Sequence, residues 1–134
     1  MIGDATASEY HSYFVTGPNS GPRGSAMRIM NGGPLAVENS IVGRNTLSTA
    51  VVVTGETDLT WRYNDMSGNT GDFTGMADPR GTEGNLQVSP QFTYPGGYRL
   101  GAASPLIDAG DSTVLDVDGS RSDMGIYGGP GGSW

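Results

Sequence analysis

From residue 26 onward, apolar residues come in short pieces separated by glycine, proline and asparagine. The pieces are 26–30, 35–38, 39–42, 51–53 and 59–63. Pieces of about 3–5 residues between such punctuating residues fit strands joined by tight turns. No stretch sustains the 3.6-residue period of an amphipathic helix, so almost no helix is expected. Further strand pieces, 86–88, 91–93 and 98–100, surround Pro90 and lead into the end of the chain. Residues 1–25 are polar and broken by Gly17, Pro18, Gly21 and Pro22, which exclude a helix. Their apolar cluster is Tyr10, Tyr13, Phe14 and Val15, which predicts either a mobile arm or a cap over an exposed strand layer.

The chain contains an internal repeat. NSIVGRNT at 39–46 aligns with NDMSGNT at 64–70 after one gap, 25 residues later. Repeats of roughly 20–50 residues are the signature of solenoids. Asparagine tolerates the left-handed backbone of a sharp corner, and stacked asparagines can bond along the stacking axis. The alignment predicts Ile41 and Met66 stacked inside. Residues 68–96 read as a long ordered excursion anchored by Phe73, Met76 and Leu86.

The acidic residues concentrate near the C-terminus. Asp108, Asp111, Asp116, Asp118 and Asp123 lie in SPLIDAGDSTVLDVDGSRSDMGIYGGPGG, residues 104–132. This segment resembles the closing region of large bacterial surface proteins built on right-handed parallel β-helices, the choice-of-anchor Q domain. The residues that carry the resemblance are Ser104, Pro105, Ile107, Asp108, Ala109, Gly110, Asp111, Asp118, Gly119, Arg121, Asp123, Gly125 and Tyr127. Residues 64–92 resemble the last coil that precedes it. The resemblance implies an extracellular or cell-surface setting and a fold, and it implies no reaction. The expected fold is all-β: a short right-handed parallel β-helix over 26–67, preceded by the arm or cap at 1–25. A long loop and a C-terminal capping segment at 68–134 complete one domain.

Composition agrees with a turn-dense β protein. Gly 23 and Pro 8 punctuate a chain that is 35% hydrophobic. The net charge is −7 and every cation is arginine, which disfavours nucleic acid and anionic membranes. Cysteine is absent, so neither disulfides nor thiol chemistry arise. No apolar run is long enough for a membrane helix. Residues 1–14 lack the regions of a signal peptide, so the chain reads as a fragment or a mature form.

Three constellations bear on chemistry. Asp116, Asp118, Ser120 and Asp123 surround Gly119 and offer oxygens suited to Ca²⁺. The glycine comes too early for an EF-hand, and the competing expectation is a turn in which Arg121 neutralises Asp118 or Asp123. Asp108 and Asp111 have the alternative readings of a glycosidase carboxylate pair and a turn. Trp61, Tyr63, Tyr94, Tyr98 and Trp134 could stack on sugar rings, or Trp61 and Tyr63 could share one strand face and pack on their neighbours. The lone His11 has no partner motif nearby.

The leading functional expectation is a non-catalytic surface module, structural or adhesive, stabilised by calcium. The alternatives are a polysaccharide lyase or glycoside hydrolase fragment, and a calcium-dependent carbohydrate-binding module. Expected partners are a glycan, another surface protein, or a second copy meeting through the strand near residues 26–30.

Overall fold

The computed structural model describes residues 8–10, 13–15, 27–45, 49–69, 71–93 and 97–132. Among these residues strands form and no helix does, so the described chain is all-β. The strands are β1 (Ser8–Tyr10), β2 (Tyr13–Val15), β3 (Met27–Glu38), β4 (Ile41–Gly43), β5 (Thr49–Arg62) and β6 (Gly71–Thr74). They pair in parallel, in the orders β1-β3-β5-β6 and β2-β4. Strands therefore form on both sides of 26–67: β1 and β2 lie within the expected arm, and β6 within the expected excursion. β3 also continues through Asn31, Gly32, Gly33 and Pro34, where a turn was expected. Register shifts between Met30 and Gly32, and between Gly32 and Leu35, absorb the irregularity as bulges.

The register stacks like on like. Met27 pairs with Val51, Ile29 with Val53, Leu35 with Leu59 and Val37 with Trp61. Each column is apolar on the inner face, so parallel stacking buries the alternate residues together. Met27, Ile29, Val37, Val51 and Trp61 join Val42 and Met66 in one core. A second core holds Ile41, Leu100, Leu106 and Met124. β4 is buried on both faces because it lies between them.

This placement corrects the repeat alignment. Ile41 bridges to Asp65, so Val42, not Ile41, shares the inner stack with Met66. The spacing across this corner is 24 residues, as in the Asn45 to Asn69 contact. A one-residue slip in a strand exchanges the faces, and the gapped alignment made that slip.

Polar residues are stacked as strictly as apolar ones. The parallel bridges Ile41 to Asp65 and Asp65 to Leu86 bring Ser40, Asn64 and Asn85 into one column. Asn64 Oδ1 accepts the Ser40 N–H at 2.9 Å, and Asn64 Nδ2 donates to the Val37 carbonyl at 2.8 Å. Asn85 repeats this one layer on, accepting the Asn64 N–H and donating to the Trp61 carbonyl, both at 3.0 Å. Asn69 does the same at a second corner, accepting from Asn45 N–H at 3.0 Å and donating to Val42 at 2.8 Å. The residue before each column member is left-handed: Asn39 (φ 50°), Tyr63 (52°) and Gly84 (74°) at one corner, Arg44 (64°) and Gly68 (71°) at the other. A left-handed residue turns the chain and leaves backbone groups unpaired, and the amide of the next layer satisfies them.

Each clip closes two backbone groups that would otherwise be buried without partners, at a cost of ~1–3 kcal/mol apiece. Asn64→Ala is therefore expected to lower stability by about 2–4 kcal/mol in urea unfolding. Asn69→Ala, at a half-buried corner, should lose roughly half as much. Equal and negligible losses would show that the clips do not hold the corners.

Candidate functional site

The aspartate-rich segment docks on the flank of the strand stack. Asp111 N–H donates to Asn39 Oδ1, and Gly125 N–H to the Asn39 carbonyl, both at 2.7 Å. Two glycines permit this approach. A Cβ on Gly110 would lie 2.7 Å from Asn39 Oδ1, and one on Gly125 (φ 106°) 2.9 Å from Ile41 Cδ1. Leu106 and Met124 then cover the outer face of Ile41. Arg62 bridges the two parts: its Nε donates to buried Glu38 Oε1, and its Nη2 lies 3.3 Å from buried Asp111 Oδ2. The hydrogen bond that Arg62 donates to Glu38, more than the fields of Glu38 and Asp111, holds the guanidinium pKa above its usual range against partial desolvation. The contacts of the segment are thus lateral, with Asn39, Ile41, Arg62 and Tyr63.

The four expected metal ligands are close in sequence but turned to different tasks. Asp116 is buried; its Oδ2 accepts the Asp123 N–H at 3.1 Å and its Oδ1 the Gly129 N–H. Asp118 is exposed, and its Oδ1 accepts from Ser120 N–H at 2.9 Å and Ser120 Oγ–H at 2.7 Å. Those bonds hold its pKa below the ordinary carboxylate value. Asp123 is buried and accepts the Asp108 N–H at 2.7 Å. Among the described residues no three acidic or histidine side chains converge as a metal would require. The calcium reading rests on the sequence pattern.

Arg121 does not pair with Asp118 or Asp123. Its Nε donates to the Gly110 carbonyl at 2.6 Å and its Nη2 to Ala109 at 3.3 Å, with the guanidinium 5.8 Å from the centre of the Tyr63 ring. Asp111 Oδ1 accepts from Thr113 N–H and Oγ–H at 2.8 Å, which, with Arg62 and Arg121 nearby, lowers its pKa despite burial. Asp108 is exposed while Asp111 is buried and occupied, an arrangement of a turn and not of two carboxylates flanking a substrate.

Among the described residues, Trp61, Tyr63 and Tyr98 do not form one platform. Trp61 is 6% exposed and sits edge-on to Phe73 at 5.7 Å in the inner core. Tyr63, left-handed at the corner, packs instead against the second core. The expected shared face is therefore split, because the left-handed corner ends the two-residue alternation. Tyr98 is 41% exposed and edge-on to Phe92 at 6.2 Å. Tyr94, Trp134 and His11, like Ala26 of the expected dimer contact, lie outside the described residues.

Sequence reasoning missed two features. One is Asp65, fully buried beneath Ile41. Its burial raises its pKa against the hydrogen bond its Oδ1 accepts from Val88 N–H at 2.8 Å. The other is a groove of about 590 Å³ between the second corner and residues 87–92. The DMSGN register signalled the first, and Arg44, the non-glycine residue at the second corner, signalled the second.

Burial, with the neighbouring charges of Asp116, Asp108 and Asp118, raises Asp123 to about 6. The unfolded value is ~3.9, so between roughly pH 4 and 6 the folded chain holds a proton that the unfolded chain releases. Stability should then fall as pH rises through this window, by on the order of 2–3 kcal/mol from this group. Asp65 adds to the same slope. Asp123→Asn, whose Oδ1 can still accept the Asp108 N–H, should melt higher than the native chain at pH 7.5 and level with it at pH 4; a lower melting temperature at pH 7.5 would contradict the assignment.

Arg62→Ala leaves Glu38 and Asp111 buried without their cation. Breaking a buried pair costs ~3–5 kcal/mol, and the 41% exposure of the Arg62 side chain reduces this to about 2–3 kcal/mol. Denaturant unfolding reads that loss, with Arg62→Lys intermediate. The loop bonds predict superposable melting curves in EDTA and excess Ca²⁺; a fall in EDTA that Ca²⁺ reverses would place a cation among the aspartates.

No family model matches the chain, and neither a curated protein nor a solved structure matches it.

Proposed function

We propose that the chain is a non-catalytic module of an extracellular or cell-surface protein, with a structural or adhesive role. In this reading the strands are successive coils of a short right-handed parallel β-helix, and the aspartate segment is a choice-of-anchor Q-like closure. The observation that carries it is the repeated asparagine clip: parallel layers joined by one rule form a stack that neighbouring coils can extend. The engagement of Asp111, Asp116, Asp118 and Asp123 in backbone and turn bonds supports a structural over a catalytic use of these acids.

Strand edges support self-association as part of the same reading. β1 pairs with residues 36–38 of β3, which leaves Met27–Met30 without a described partner on that edge. A second copy meeting there across a twofold axis is the proposed partner.

Incubation with neutral and acidic polysaccharides tests the reading against a lyase or hydrolase. Neither reducing ends nor the ultraviolet absorbance of unsaturated sugars should increase; sustained turnover lost on Asp111→Asn would overturn the non-catalytic assignment. Light scattering after size exclusion should give twice the chain mass, and a monomer at all concentrations would remove the dimer.

A further inference from the structure

The groove between the second corner and residues 87–92 has the volume of a small-ligand cleft, about 590 Å³. Its polar lining comes from Arg44, Ser67, Gln87, Ser89 and Gln91, and Phe92 contributes an apolar wall. In a chain of net charge −7, this lining contains one cation and no carboxylate. Arg44 is exposed and forms no ion pair with another described residue.

Backbone conformation marks the same two side chains. Arg44 (φ 64°) and Gln91 (φ 50°) are both left-handed, a conformation that glycine adopts without strain. The equivalent corner one layer on uses Gly68. Corner geometry alone would accept glycine at both places, and here both positions carry long polar side chains that line the groove. Hydroxyl and amide groups both donate and accept hydrogen bonds, which matches the hydroxyls of a sugar ring better than the acceptor-only oxygens of a phosphate. The guanidinium supplies a fork for one carboxylate.

We propose that this groove is a binding site for a carboxylate-bearing sugar, an oligouronide, with Arg44 on the carboxylate and Gln91, Ser67 and Ser89 on the ring hydroxyls. The site does not depend on a surface location or on the absence of catalysis.

Calorimetric titration of the full chain with trigalacturonate, trimannuronate and the methyl ester of each tests it. At least one free acid should bind, and its methyl ester at least tenfold more weakly. Arg44→Gly is the decisive variant, because glycine relieves the strained corner: it should melt at or above the native temperature and bind at least tenfold more weakly. Gln91→Gly should behave likewise. Failure of both acids to bind the native chain, equal binding of the methyl ester, or native affinity in a well-folded Arg44→Gly variant would each overturn the proposal.

Discussion

The fold depends on a side-chain amide that repairs the corner before it. A parallel strand stack must turn its chain sharply, and each left-handed residue leaves an N–H and a carbonyl facing the next layer. Asn64, Asn85 and Asn69 answer that need with the same pair of bonds, although they serve two corners. The apolar columns supply the bulk of the burial but fix only which face is inside. The amides fix height as well, since a layer displaced by one residue would offer each clip a side chain where it needs a backbone group. Stacking geometry and apolar register thus specify the same arrangement from independent chemistry.

The aspartate segment extends this logic sideways. At Asn39 the bonds run outward to that segment: its Oδ1 accepts the Asp111 N–H and its carbonyl the Gly125 N–H. The segment then builds its own framework from carboxylates bonded to backbone N–H groups, so that an acidic stretch becomes ordered with few apolar side chains. The cost is concentrated charge. Asp123 is pushed up by burial and by its acidic neighbours, while Arg62 offsets Glu38 and Asp111 across the junction. The groove beside the second corner lies outside this acidic region, and its one cation faces solvent.

Strand character, the absence of helical periodicity and the importance of asparagine at corners were legible in the sequence because each is local. The short apolar pieces holding Met27, Ile29, Leu35 and Val37 read as strands, and the structure buries these four side chains. What the sequence hid depends on register or on distant packing. Spacing of 24 and not 25 decides whether Ile41 or Val42 faces Met66, and no single-copy repeat fixes it. β1 and β2 are three-residue strands whose partners lie 28 residues away, as in Tyr13 to Ile41, so the local sequence does not reveal the pairing. Trp61 and Tyr63 look equivalent until a left-handed φ at Tyr63 sends them to different cores. Arg121 near three aspartates suggests ion pairing, yet the carboxylates are already occupied by nearby N–H groups and the guanidinium takes carbonyls. The aspartate pattern was readable as an ordered loop, and its distribution of bonds was not.

Native-state amide hydrogen exchange at Ser40, Asn45 and Asn64 is the most direct measurement of the clip. These amides lie at corners, where exposed loops exchange freely, yet each donates to an asparagine side chain in the next layer. They should exchange as slowly as the amides of β3 and β5, through the same cooperative opening. Asn64→Ala should release Ser40 selectively while the strand interiors keep their protection. Loop-like exchange at all three corner amides in the native chain would contradict the account.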